Sequence, residues 1–428
     1  MRFACILFLA AIAVAQDVSK LEASLDRDLS AGGIPGAAMV VIKEGKVVWS
    51  KAAGLTSVEE GRPVTPDTLF RLGSTAKMFT AAAVLSLADA GKLKLDVPIG
   101  NYASGLHPKL AALTLHQLLT HTAGLADDAP MDGPHDEAAL SAAVRSWKEA
   151  AFFAGPGAIF SYANTGYVLA GYVVEQVTGK PFATAIEELV LRPAAMERST
   201  YRPLLAMTYP LALGHAPGPK LIRPFADHAG SWPPGSLFTT ANDLSRFVVW
   251  LMDGPLWARM SAPLTPIPGT TTKYGYGLLV SDQIVMHSGA RAGYGSSIHF
   301  IPAKRAAVIQ LANRSGALMG NTVRQVLSEL ASQPLPPAPP RQRLELTAEE
   351  ASRYVGHYLN GAISIDLAVR DGRLVATLRG KPANVVKVGE DRFHIPDGGE
   401  VEDFWLIGDQ PRFLFAALRA LRRVPDQQ

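Results

Sequence analysis

Five prolines fall within twelve residues in SQPLPPAPPRQR, from Ser332 to Arg343. Proline fixes its own φ and lacks an amide donor, so this stretch can join neither a helix nor a sheet ladder and is expected to run extended and semi-rigid. It sets a limit on how much chain can share one core. The chain has 428 residues, more than a single hydrophobic core usually organises. The expected order is a leader over 1–15, a large domain over 16–332, a linker over 333–343 and a small domain over 344–428.

Upstream of the prolines the pattern is mixed. GAAMVVIKEGKVVWSKAAG reads as a hairpin that turns at Glu44-Gly45 between Met39–Ile42 and Val47–Trp49. Helices are expected at about 74–90, 114–121, 164–178, 240–253 and 317–331, and strands at YGYGLLV, QIVMHSG, GSSIHFIP and RAAVIQLAN. Strands at both chain ends around inserted helices predict an α+β domain, and the scarcity of parallel crossovers argues against a doubly wound sheet. Downstream, TAEEASRYVGHY opens with a capping-box pattern at Thr347 and Glu350. Short alternating segments follow, with a hairpin signal at Asp371-Gly372, predicting a small antiparallel all-β barrel.

The first fifteen residues combine Arg2, an apolar run from Phe3 to Val14 and a small-x-small site at Ala13-Val14-Ala15. They read as a secretory signal, too short to span a bilayer, and predict export to the periplasm or beyond. The single cysteine, Cys5, lies inside it. Thiol catalysis, disulfides and Cys-based metal sites are therefore excluded from the mature chain. Lys and Arg number 41 against 38 Asp and Glu, and no run of like charge points to a nucleic-acid or membrane partner. His116 and His121 are five apart, which does not place them on one helical face, and no metal-ligand pattern occurs. No metal or cofactor is expected, and oligomeric state is left open.

The chemistry-bearing stretch is FRLGSTAKMFTAAAVLSLADAG, from Phe70 to Gly91. A Ser and a Lys three apart are expected about once by chance in a chain of this size, so context decides. Met78, Phe79, Ala82, Val84, Leu85 and Leu87 are dense enough for a helix buried on most sides, which puts Ser74 in its first turn and Lys77 one turn on, on the same face. A first-turn amide has no helical acceptor and lies at the positive end of the dipole, which suits an oxyanion. Dipole and desolvation both disfavour a charged Lys77, so its pKa is expected to fall, leaving an amine able to take the serine's proton.

A nucleophilic serine needs partners. In GPGAIFSYANTGYVLAG, Tyr162 can shuttle a proton to a leaving group, and the Asn164 amide can bond a substrate carbonyl. Tyr358-Leu359-Asn360 has the same spacing but lies in the small domain and is set aside. In VMHSGARAGYG, His287-Ser288-Gly289 ends a strand; Gly289 permits close approach, and the Ala290 amide can act as a second oxyanion donor. His228-Ala229-Gly230 resembles it but sits in an irregular proline-rich segment, and is likewise set aside.

Ser74-Thr75-Ala76-Lys77, Tyr162-Ala163-Asn164 and His287-Ser288-Gly289 follow the order and approximate spacing of the class C β-lactamase and penicillin-binding serine hydrolase family, which this chain resembles over about residues 20–332. TLHQLLTHTAGL, SLFTTANDLSRF and FIPAKRAAVIQLANRSG also look like family text. The resemblance implies an antiparallel sheet flanked by helices plus a helical subdomain, with the active site between them. It implies attack by Ser74 on a small ester or amide, base and acid roles shared by Lys77 and Tyr162, an oxyanion hole from the Ser74 and Ala290 amides, and substrate contacts from Asn164, His287, Ser288 and Gly289. The small domain is similar in strand rhythm to lipocalin-like barrels appended to some members.

The chain departs from class C β-lactamases at the third motif, where they carry Lys-Thr-Gly and this chain carries His287-Ser288-Gly289. Histidine is mostly neutral near pH 7, so the permanent cation for a β-lactam carboxylate is missing. Histidine at this site looks more like the family's esterases and D-amino-acid peptidases, a resemblance that implies weak or absent β-lactamase activity. The alternative is a penicillin-binding sensor that acylates and turns over little. No Gly-x-Ser-x-Gly occurs, which sets aside the α/β-hydrolase elbow.

Overall fold

The structure is a computed structural model that describes residues 18–128, 135–148, 151–225, 227–331, 341–396, 398–399, 401–408 and 412–424. The expected leader, and residues 333–340 of the expected linker, lie outside the described residues. In chain order the elements used below begin with α1 over 18–32, β1 Gly36–Lys43, β2 Lys46–Gly54, α2 Lys77–Asp89, α3 Asn164–Thr178 and α4 Ala241–Asp253. They continue with β3 Leu279–Val280, β4 Val285–Arg291, β5 Tyr294–Ile301, β6 Ala306–Ala312, α5 Gly320–Leu330 and α6 Ala348–Tyr354. Nine further strands close the chain: β7 Gly356–Asn360, β8 Ile363–Arg370, β9 Arg373–Leu378, β10 Lys381–Asn384, β11 Val386–Lys387, β12 Arg392–His394, β13 Asp403–Ile407, β14 Phe413–Ala416 and β15 Arg419–Val424.

The chain divides into two compact units. The first comprises Met1–Ala83, Ala183–Ser261 and Gly277–Pro336, the second Val84–Phe182, Ala262–Tyr276 and Pro337–Gln428. The small C-terminal fold thus groups with the helical segments on either side of Tyr162, across the proline stretch.

In the first unit, strands from both chain ends pair antiparallel in the order β2-β1-β6-β5-β4-β3. The expected hairpin forms, with Glu44 and Gly45 both at positive φ in its turn. Seven of the eight residues of β1 and all seven of β6 are buried, which is why these strands read as continuous apolar runs rather than alternations. Met39 and Val41 pack on one face with Leu21, Leu25, Val323, Val326 and Leu327 from α1 and α5. At the strand ends Asn313 is fully buried; its Oδ1 accepts from Gly36 N at 2.7 Å, and its Nδ2 donates to Leu55 O at 3.0 Å and Thr56 O at 3.1 Å.

α2 is buried almost all round, from Met78 through Leu85, and Phe79 stacks on Phe247 of α4 at 4.1 Å between centroids. The helix expected from residue 74 opens instead as one 3₁₀ turn, Ser74–Ala76, closed by Ala76 N donating to Gly73 O at 3.0 Å. Tight first turns are common where a helix starts against other backbone. α5 is shorter than expected, because Ala317 is tied back by its amide to Arg314 O. Within the segment read as the strand YGYGLLV, only Tyr274, Leu279 and Val280 pair as strands.

In the second unit α3 spans the expected residues and ends at Gly179 in the left-handed region. The expected helix at 114–121 is only Leu115–Leu119, started by a full capping box between Thr114 and Gln117. The nine C-terminal strands form one antiparallel, nearly closed barrel in the order β10-β9-β8-β7-β15-β14-β13-β12-β11. Its core gathers Tyr354, Tyr358, Leu367, Phe393, Phe404 and Leu414. Half of the expected capping box on α6 forms: Thr347 Oγ1 accepts from Glu350 N, while the Glu350 carboxylate takes Lys387 Nζ at 2.5 Å and Tyr354 OH at 3.0 Å. No helix among the described residues is long and apolar enough to cross a membrane.

Asn313→Ala leaves one buried amide and two carbonyls without this partner. It should destabilise the protein by about 3 kcal/mol, read as a lower urea midpoint in the tryptophan fluorescence transition.

Candidate active site

Ser74 and Lys77 meet as the helix geometry requires. Lys77 Nζ donates to Ser74 Oγ at 3.2 Å, and the lysine side chain has no exposed surface. It also donates to Pro234 O at 3.0 Å. That carbonyl lies in the middle of a row of three, because Thr80 Oγ1 donates to Pro233 O at 2.7 Å and Arg291 Nη1 to Gly235 O at 2.7 Å. The segment expected to be irregular forms two short helical turns, Ala229–Ser231 and Trp232–Gly235; the second carries the row and is fixed from behind. Arg291 Nη2 donates to Ser231 Oγ at 3.2 Å, Arg71 pairs with Asp227 and reaches Ser236 Oγ at 3.3 Å, and Trp232 Nε1 donates to Asp227 at 3.0 Å. Burial pulls Arg291 down to about 9, with repulsion from Arg71 acting the same way, so it remains a cation at neutral pH.

The end of β4 lies directly against Ser74. A Cβ on Gly289 would stand 2.6 Å from Ser74 N, and a Cβ on Gly73 would stand 2.6 Å from Ala290 N. Only glycine on both sides permits this approach, which sets the Ala290 backbone against the Gly73-Ser74 turn. The atoms crowding Gly289 include Ser74 N and Gly73 C, so the close approach expected at this glycine is made by the chain's own backbone. Thr75 Oγ1 and Ser296 Oγ, 2.8 Å apart, join the serine turn to β5.

His287 is buried, and its Nδ1–H donates to Ser288 O at 2.6 Å. Burial, and next the nearby Lys77 charge, hold the imidazole down to about 3. The third motif therefore presents a neutral ring at any ordinary pH, extending the expectation drawn from its identity alone.

Tyr162 and Asn164 belong to the second unit. Tyr162 is buried at the end of the segment leading into α3, with its ring 4.3 Å from that of His121, whose Nδ1 accepts from Ala163 N at 3.2 Å. His121 is thus a packing and backbone-bonding residue. The Asn164 amide N–H donates to Asp127, and its Nδ2 lies 3.4 Å from Asp127 Oδ2.

Two features escaped the sequence reading. His228-Ala229-Gly230, set aside as a copy of the third motif, opens the loop whose Pro234 carbonyl meets Lys77; its prolines were the available signal. Asn360 of the other copy is buried at the end of β7 and donates to Ser161 Oγ at 3.1 Å, immediately before Tyr162.

A helix-borne serine and lysine facing a glycine-lined strand end, on an antiparallel sheet covered by helices, is the arrangement of β-lactamase-type serine hydrolases. A family model described as Beta-lactamase matches residues 15–331, and the chain belongs to that family. Penicillin-binding protein 4 of Amycolatopsis lactamdurans is 29% identical over 345 residues, covering 72% of this chain and 90% of that protein. Esterase EstB of Burkholderia gladioli is 34% identical over 197 residues, 42% of this chain and 50% of that protein. Among solved structures, that of SurE with D-Leu aligns over 95% of this chain and 99% of its own, at a TM-score of 0.75 and 25% identity.

Gly289→Ala should displace Ser74 and lower kcat/KM about a hundredfold, measured on a p-nitrophenyl ester. A second expectation concerns stability. His287 and His299 are held at about 3 and about 4, both chiefly by burial, whereas the unfolded chain takes up protons near 6.5. Between those values the unfolded state binds more protons, so stability should fall as pH drops from about 6.5 toward 4 and stay level above. His287→Asn should flatten that slope in urea titrations across the range.

Proposed function

We propose that this protein is an exported serine hydrolase that cleaves small esters, or amides of the D-amino-acid peptide type, through an acyl-serine intermediate. The observation that carries the reading is the fully buried Lys77, whose Nζ lies 3.2 Å from Ser74 Oγ. Ser74 Oγ bonds to the substrate carbonyl carbon while its proton passes to the basic pair assigned to Lys77 and Tyr162. The oxyanion rests on the Ser74 and Ala290 amides. Collapse breaks the bond to the leaving group, which departs with a proton, and water repeats the sequence on the acyl-enzyme to release acid and free serine. The roles of Tyr162 and of Asn164, as a bond to the substrate carbonyl, rest on the order of the family motifs.

Substrate class follows from the third motif. A neutral His287 lets the strand end bond a carbonyl or carboxyl group without a fixed charge, in keeping with an esterase relative and with a D-Leu-bearing structural neighbour. Export rests on the leader over 1–15.

The test is intact-mass labelling with a fluorophosphonate probe, followed by p-nitrophenyl acetate and butyrate hydrolysis. Stoichiometric labelling and turnover are expected, both abolished in Ser74→Ala. Labelling without turnover would replace the hydrolase with a slow-releasing sensor, and absence of both would overturn the nucleophile. Nitrocefin turnover should be weak or absent; robust turnover at low micromolar KM would refute the substrate class.

A further inference from the structure

The hairpin joining β14 to β15 turns on two residues, Ala417 and Leu418, with Ala416 paired to Arg419. Both turn residues have positive φ, 47° and 64°. Such turns are normally made by Asn-Gly or Gly-Gly, because a Cβ is strained there. A strained tip that persists is held by its surroundings, and these can be named. Leu418 O accepts from Tyr162 N at 2.8 Å. Ser161 Oγ accepts from Ala420 N at 3.1 Å and from Asn360 Nδ2 at 3.1 Å. Arg419 Nε and Nη2 donate to Asp127 Oδ2 at 3.0 and 2.5 Å, and the guanidinium carbon lies 5.5 Å from the centre of the Tyr162 ring. Asp127, only 6% exposed, in turn accepts from the backbone and side-chain amides of Asn164.

One barrel hairpin therefore grips three of the four positions 161–164: Ser161 by its hydroxyl, Tyr162 by its amide and ring, and Asn164 through Asp127. None of these bonds belongs to the pairing of the barrel's own strands. We propose that Arg419 is a positioning residue for Tyr162 and Asn164, acting through its fork on Asp127 and its charge over the Tyr162 ring, so that the C-terminal barrel is a working part of the catalytic apparatus. Forked pairing to one carboxylate fixes orientation in a way that a point charge does not. The inference rests on the reading that Tyr162 moves protons in the hydrolytic cycle.

The experiment uses the full chain with Arg419→Gln, Arg419→Lys, Asp127→Asn and Tyr162→Phe, reading kcat and KM for p-nitrophenyl butyrate, the rate of fluorophosphonate labelling, and near-ultraviolet circular dichroism as a check of fold. Arg419→Gln should lower kcat ten- to a hundredfold with KM changed less than threefold and Ser74 still labelled. Arg419→Lys should recover part of the loss, and Asp127→Asn added to Arg419→Gln should lower kcat no further. Wild-type kcat in Arg419→Gln, or equal losses in KM and kcat with distorted dichroism, overturns the proposal. Should Arg419→Gln fail to fold, Arg419→Lys decides: a severalfold fall in kcat at unchanged KM supports the positioning role, and wild-type kcat ends it. Tyr162→Phe separates the two levels. If it stays active, the reading of Tyr162 fails; if it is inactive while folded Arg419→Gln is fully active, only the role of Arg419 fails.

Discussion

A lysine side chain with no exposed surface dictates much of what surrounds it. Burying a lysine nitrogen is costly unless its donors are met, and Lys77 spends two of them on Ser74 Oγ and Pro234 O. The carbonyl partner has to be held still, and it lies on the second of two short helical turns, Ala229–Ser231 and Trp232–Gly235. Three successive carbonyls there each accept from a different side chain, and two buried arginines with Asp227 and Trp232 fasten the loop from the far side. The strand end at Gly289 and the turn at Gly73 then close around the serine within a distance that no larger residue tolerates. Each of these features is unfavourable or irregular by itself, and becomes intelligible as a condition for keeping one amine beside one hydroxyl.

The two buried arginines bear on substrate choice. Arg71 and Arg291 lie behind the loop, and their bonds to Asp227, Ser236, Gly235 and Ser231 are structural. His287 is the residue of the third motif itself, and there burial favours the neutral ring. Charge in this region thus serves the scaffold, while the imidazole of the third motif is buried, neutral and bonded to Ser288 O.

What the sequence disclosed has a physical pattern. Ser74 and Lys77 were legible because helix geometry converts a spacing of three into contact. β1, β6 and the hairpins at Glu44-Gly45 and Asp371-Gly372 were legible because continuous apolar runs and turn residues are local signals. The 228–236 loop was not, since its working atoms are backbone carbonyls, which leave no trace in residue type, and its His228-Ala229-Gly230 mimics another motif. Asp127 and Arg419 stand 292 positions apart, so no window of local pattern could join them. Asn360 looked like a stray copy of a catalytic triplet, yet its buried amide ends on Ser161; the resemblance was accidental and the position was not idle.

The placement of the barrel hairpin bears on why a hydrolase fold should keep an appended domain. A small all-β unit with an apolar core of its own can fold without gripping a neighbour, and a relaxed Asn-Gly tip would serve it better than Ala417-Leu418. Beside the bond from Arg419 Nη1 to Ala417 O within the turn, the tip makes bonds that leave the barrel: Leu418 O to Tyr162, and Arg419 to Asp127. Strain maintained at a point of contact fits a local sequence that serves the contact. On that account the appended domain acts through one two-residue turn and one arginine, and the remainder of its strands form the rigid frame that holds them in register.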